Sequence, residues 1–185
     1  MQVVRRSGSG RVYWSARGTY YSTDKKDYQA GKLSLNLTRD YYKLQPAQKD
    51  GKIVYTLQPL TGTAQVGDML AVHEAINGSS MRYLLLEDPI PAGTEFVTSE
   101  DSYPIDHRPG GWFDWYTRRE FRDDHAAFFA SDFTGRQEIF YLIRVVNPGT
   151  FQISPARVEP MYQPGVQATS DALQLVVSAP AGGTQ

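Results

Sequence analysis

The chain has 185 residues, 41% of them hydrophobic, with 19 basic against 20 acidic side chains, a net charge of −1 and no cysteine. That length suits one domain able to bury roughly 70% of its unfolded surface without staples. The charge balance argues against nucleic acid or an anionic membrane as the main partner, and the missing cysteines exclude disulfides, thiolate catalysis and Cys-ligated metals.

The start, Met1 to Gly8, lacks the apolar core of a signal peptide. Residues 1–9 therefore read as a linker or an artificial start, entered from something upstream. The domain proper is placed at 10–178. No apolar stretch approaches the ~20 residues of a membrane-spanning helix. A first strand is predicted from Gly10 to Tyr21 and a second from Leu33 to Leu44. Lys49-Asp50-Gly51-Lys52 is a turn, because Asp-Gly suits positive φ, and a strand from Ile53 to Leu57 follows it. Val66-Gly67-Asp68 introduces a strand from Met69 to Ile76, and Asn77-Gly78-Ser79-Ser80 predicts the next turn. Met81 to Asp88 is the most apolar strand, ended by Pro89 and Pro91.

Thr98 to Asp124 is polar, aromatic and turn-rich, and reads as a long excursion between strands. At most, Thr117 to Asp124 forms one short helix. Strands resume at Asp124 to Phe133 and Arg136 to Val146. In the second of these, Ile139, Tyr141, Ile143 and Val145 lie opposite Phe140, Leu142 and Arg144. Asn147-Pro148-Gly149-Thr150 turns into Phe151 to Val158, and Ala172 to Val177 closes the sheet. The tail 179–185 is small, polar and expected to be disordered. Short strands separated by turns, with no βαβ pattern, indicate an all-β antiparallel sandwich.

Few residues suggest chemistry. His73, His107 and His125 show no metal-ligand spacing, and Asp123-Asp124-His125 sits on adjacent strand positions that face opposite ways. There is no nucleophile elbow, phosphate loop or dinucleotide fingerprint. Glu87 and Asp88 stand in an apolar context but precede Pro89, where a turn acid is the ordinary reading. No catalytic residue, metal or cofactor is assigned, and the chain reads as a non-enzyme. The run Arg118 to Arg122 reads as a solvated surface with local ion pairs. Trp112, Phe113, Trp115 and Tyr116 form the densest aromatic cluster. It is either a satellite core under the long loop or a contact surface built on Trp112, Trp115 and Tyr116.

The segment Val158-Glu159-Pro160-Met161-Tyr162-Gln163-Pro164-Gly165 is the most informative. It joins two apolar runs and sets a Met-Tyr pair between prolines that stiffen the loop. Its two readings are an outward-facing contact knob and a plain hairpin folded back on the sandwich.

Three stretches carry a resemblance: Glu87 to Gly93, Tyr116 to Phe129, and Val145 to Phe151 continued by Ser154 to Tyr162. In that order they look like the C-terminal domain of bacterial alpha-2-macroglobulin-like proteins. The resemblance runs from about Gly10 to Val177. It implies a macroglobulin-type, immunoglobulin- or fibronectin-like β-sandwich with one long ordered loop. It also implies a large, periplasmic, often inner-membrane-anchored parent that traps proteases, commonly through an internal thioester held in a different domain. By the same resemblance, Met161, Tyr162, Gln163 and Pro164 form the loop that docks on the thioester-bearing domain and shields it. The partners implied are that neighbouring domain and, through the parent, target proteases. Two other readings stay open: a thioester-free envelope module that binds a partner, and an independent carbohydrate-binding or adhesion sandwich using the Trp112 to Tyr116 aromatics.

Overall fold

The computed structural model of the chain describes residues 6–11, 34–109, 115–163 and 165–179. The strand expected from Gly10 to Tyr21 falls almost wholly outside these residues, as do Trp112, Pro164 and residues 180–185 of the tail.

Strand β1 (Leu35–Lys49) alternates buried Leu35, Leu37, Arg39 and Tyr41 with exposed neighbours. It pairs with β2 (Lys52–Pro59) across the expected turn. Asp50 and Gly51 both hold positive φ, at 51° and 73°, which is the tight hairpin geometry that Asp-Gly favours. A short β3 (Thr63–Gln65) follows.

Two strands organise the rest. β4 (Met69–Pro89) and β7 (His125–Val145) each run 21 residues and pair along their whole length. The turn expected at Asn77-Gly78-Ser79-Ser80 is therefore absent. Those residues form a bulge, in which Ser79 and Ser80 face the single residue Thr134 and the register shifts by one. Gly78 pairs with Gly135 at this point. A Cβ on Gly78 would lie 2.5 Å from the Ser34 carbonyl oxygen, and Gly135 sits at φ +67°. The β4–β7 ribbon bends here and folds onto itself, so that Phe128 of its first β7 half lies 5.8 Å, ring to ring, from Tyr141 of its second. A bulged strand that turns a corner supplies both layers of a sandwich.

The first layer has the order β2, β1, first half of β4, second half of β7, β5 (Thr94–Phe96). The second has β10 (Ala168–Thr169), β9 (Arg157–Pro160), second half of β4, first half of β7, β6 (Arg118–Phe121). Phe96 on β5 stacks on Phe121 on β6 at 4.3 Å, closing one side between the layers. β8 (Gly149–Ile153) and β11 (Leu173–Ser178) join β3 in a separate three-stranded sheet, which adds Ala64, Ile153, Leu175 and Val177 to the main core.

The alternation in β7 behaves as expected. Ile139, Tyr141, Ile143 and Val145 enter the main core. Phe140 and Leu142 face the other way and pack with Leu44, Ala71 and Val97 beneath Tyr103 and Ile105. Tyr103 and Ile105 of the long excursion thus cover part of the outer face of the first layer. Its only helical turn among the described residues is a 3-10 turn at Glu100–Ser102. The short helix allowed at Thr117 to Asp124 is instead β6, because Arg118 to Phe121 finds an open edge of β7 to pair with. The strand expected from Phe151 to Val158 splits at Ser154-Pro155-Ala156: β8 joins the small sheet and β9 the second layer.

Candidate functional site

The segment Ser154 to Asp171 forms an arm. It leaves β8, runs out as β9 along β4, turns at Met161-Tyr162-Gln163 and returns as β10. The Met161 amide donates to the Tyr83 carbonyl at 2.8 Å, and the Gln163 amide donates to the Pro160 carbonyl at 3.3 Å. These bonds fold the tip into a tight turn. Its apolar side chains nevertheless point outward, with Met161 48% and Tyr162 72% exposed. Gln163 is exposed beside them.

Tyr83 completes the patch. It is 42% exposed and meets the Tyr162 ring edge-on at 5.3 Å, while Arg82 lies over its other side at 5.0 Å. Its φ of 56° is rare for a bulky residue and marks stored backbone strain. Beside the tip lies a shallow, mainly apolar groove of ≈ 300 Å³, lined by Tyr83, Leu84, Phe129, Ala130 and Met161 and rimmed by Arg118 and Glu120.

Trp115 and Tyr116 stand elsewhere and turn inward. Trp115 donates its indole N–H to the Glu138 carbonyl at 2.8 Å and packs edge-on against Phe133, and Tyr116 packs likewise against Phe128. The arginine run is laced by ion pairs: Arg118 and Arg122 to Glu120, and Arg119 to Glu100.

Beneath the arm lies a buried polar cluster. Asp88 is fully buried, not the turn acid its place before Pro89 suggested. The Arg39 guanidinium donates to one of its carboxylate oxygens, and the Tyr141 hydroxyl donates to the other at 2.5 Å. Glu74 is also fully buried, and no protein N–H or hydroxyl reaches its carboxyl oxygens. Burial, then the neighbouring Asp88 charge, pushes Glu74 well above the ordinary carboxyl range. Burial raises Asp88 as well, against the pull of Arg39, Tyr141 and Glu74. Two buried carboxyls thus share one buried cation, Arg39, and the upward shift of Glu74 favours its neutral form. Such a cluster fixes geometry. Each charged member occupies an inward position of an alternating run: Leu37-x-Arg39-x-Tyr41, Val72-x-Glu74-x-Ile76, Leu86-x-Asp88-x-Ile90. That period-two placement was the available signal for Arg39 and Glu74. Tyr83 carried none, because nothing in the local sequence marks its left-handed backbone.

Among the described residues, no three His, Asp or Glu side chains gather as a metal site, and no helix is long and apolar enough to cross a membrane.

With this geometry in view, the family model of the bacterial alpha-2-macroglobulin MG10 domain matches residues 35–165, from the start of β1 to the tip of the arm. The chain belongs to that family. It is similar to the alpha-2-macroglobulin of Thermotoga maritima, 31% identical over 121 residues, which cover 62% of the chain and 8% of the relative. The alpha-2-macroglobulin of Xylella fastidiosa strain 9a5c is 43% identical over 122 residues, covering 58% of the chain and 7% of the relative. The MG10-family chain therefore spans under a tenth of the length of these curated relatives. Among solved structures, native Escherichia coli alpha-2-macroglobulin shares the fold with a TM-score of 0.60 and 24% identity, over 81% of this chain and 10% of that one. Salmonella alpha-2-macroglobulin reacted with methylamine aligns with a TM-score of 0.56 and 22% identity, over 81% and 10%.

Proposed function

We propose that this chain is the non-catalytic C-terminal domain of a protease-trapping, alpha-2-macroglobulin-like protein. On this reading it docks on the thioester-bearing domain of its parent through the arm tip. The observation that carries the reading is the outward exposure of Met161 and Tyr162 beside an apolar groove, on a turn already held by main-chain bonds to β4. A loop ordered before contact loses little entropy on docking. A thioester survives only where water and amines are excluded, and a flexible thioether with a large aromatic ring gives that cover. The reaction of the Salmonella relative with methylamine supports a thioester in the parent of this domain too. Periplasmic location of the parent, and capture of proteases by the parent rather than by this domain, belong to the same proposal.

The test is thiol release from the full-length parent on adding methylamine, comparing wild type with the double variant Met161→Ala, Tyr162→Ala. Slow release in wild type and rapid loss of the thioester in the variant is the expected result. Equal rates would remove the shielding role, and no releasable thiol in either would leave the domain a partner-binding module.

A further inference from the structure

Arg39 does more than balance Asp88. Its side chain is fully buried on β1, in the first layer, whereas the arm belongs to the second. One terminal nitrogen, Nη1, faces Asp88. The other, Nη2, donates to the Ser154 carbonyl at 2.9 Å and to the Asp171 carbonyl at 3.1 Å. These two carbonyls are the points where the arm leaves and re-enters the sandwich, 17 residues apart by number.

The return leg of the arm packs Val166 and Ala168 on the core but has few main-chain pairings. β10 contributes two paired residues, both to β9, at the margin of its layer. A polar groove of ≈ 270 Å³ opens between it and β1, lined by Leu35, Asn36, Arg39, Gln167, Thr169 and Asp171 among others. At the arm's neck, Ser170 accepts from the Ala156 amide at 2.9 Å through its hydroxyl, and its own amide donates to the Ala156 carbonyl at 2.9 Å. The same hydroxyl donates to the Asp171 carbonyl at 3.2 Å. Neck clasp and Arg39 fork thus meet on one carbonyl.

We infer that Arg39 is a positioning residue for the arm: its fork ties both ends of the Ser154–Asp171 segment to the core and so sets where Met161 and Tyr162 stand. This rests on the reading of the arm tip as the docking element. The guanidinium suits the task because it is planar, permanently charged and carries five donors in a fixed fork; lysine offers a point charge on a flexible stem. Asp88, itself held by the Tyr141 hydroxyl, pairs with the guanidinium, so the register of the arm is referred to the β4–β7 ribbon.

The experiment is hydrogen exchange, read by mass spectrometry on the full-length parent, in Arg39→Lys and in the double variant Arg39→Met, Asp88→Asn. The double variant removes both members of the buried ion pair, and the side-chain amide that replaces the Asp88 carboxylate still accepts from Tyr141. Expected is exchange faster by about tenfold in peptides spanning 156–170, the scale of one or two lost net hydrogen bonds, with β4 and β7 peptides unchanged. Arg39→Lys is expected to move the same peptides in the same direction by less. Unchanged exchange in the arm would overturn the inference. So would an increase shared equally by β4 and β7, since that reports general loosening. Methylamine-triggered thiol release is measured on the same variants. A looser arm with wild-type thiol chemistry would uphold Arg39 as positioning residue while removing the shielding role of the tip.

Discussion

Tyr162 stands edge-on to Tyr83, their ring centroids 5.3 Å apart and their planes at 84°. One ring comes from the arm tip and the other from β4, at a residue whose φ is 56°. The strained strand residue therefore braces the exposed one. Tyr83→Asn removes the ring while keeping a side chain that tolerates the left-handed backbone. Loss of the edge-to-face pair removes about 0.5–1.5 kcal/mol of support for the tip. If the tip shields a thioester as proposed, the full-length parent carrying Tyr83→Asn is expected to release thiol with methylamine faster than wild type but more slowly than the Met161→Ala, Tyr162→Ala variant. A wild-type rate would show that Tyr162 needs no brace.

Glu74 gives the chain an unusual pH response. Its folded-state pKa lies well above the unfolded value, through burial and then the Asp88 charge. The folded state thus binds the proton more tightly than the unfolded state. The stabilisation is complete below the ordinary carboxyl range and is lost as pH rises toward the folded pKa, by up to about 1.4 kcal/mol per pH unit. Glu74→Gln keeps a donor for Asp88 and has no proton to lose. Urea unfolding of wild type and variant between pH 4 and 8 is expected to show near-equal stability at the acid end and a growing advantage for the variant as pH rises. Parallel curves would place the proton elsewhere in the cluster.

The corner of the β4–β7 ribbon is sensitive to a single methyl group. A Cβ on Gly78 would meet the Ser34 carbonyl at 2.5 Å and Leu35 Cα at 3.2 Å, both main-chain atoms that cannot swing aside. Gly78→Ala is expected to cost about 1–3 kcal/mol, as overpacking does. Its partner Gly135 has open space around it and a positive φ, so Gly135→Asn is expected to cost under about 1 kcal/mol, since Asn visits that region. Chemical denaturation midpoints of the two variants check the contrast.

Trp115 is expected to act as an internal pin. Trp115→Phe keeps a ring against Phe133 but loses the 2.8 Å bond to the Glu138 carbonyl. A loss of about 1 kcal/mol is expected, with thermal unfolding as the measurement. No change would mean that water replaces the indole at that carbonyl.

Much of the fold was legible as alternation. The run from Ile139 to Val145 announced a strand with two apolar faces, and both faces are covered. Asp50-Gly51 announced its hairpin. What misled was Asn77-Gly78-Ser79-Ser80, whose composition is that of a turn. Local preference cannot tell a reversal from a bulge when the partner strand, more than fifty residues later, carries its own glycine opposite. The same limit hid the polar cluster: Arg39, Glu74 and Asp88 meet only because the ribbon folds over. At the site, the prolines and the Met-Tyr pair were visible in the sequence, and Met161 and Tyr162 stand exposed. Tyr83 and the grip of Arg39 depend on contacts between distant segments, which no local window contains.

The folded ribbon also governs how the chain reaches its native state. Each layer takes one half of the same strand pair, so the long-range β4–β7 pairing is common to both. Pro89 and His125, the β4–β7 pair nearest in sequence, are joined across the whole intervening excursion, and Gly78 and Gly135 lie further apart still. Closing so long a loop early, with its reward deferred to the end, makes for slow and all-or-none folding.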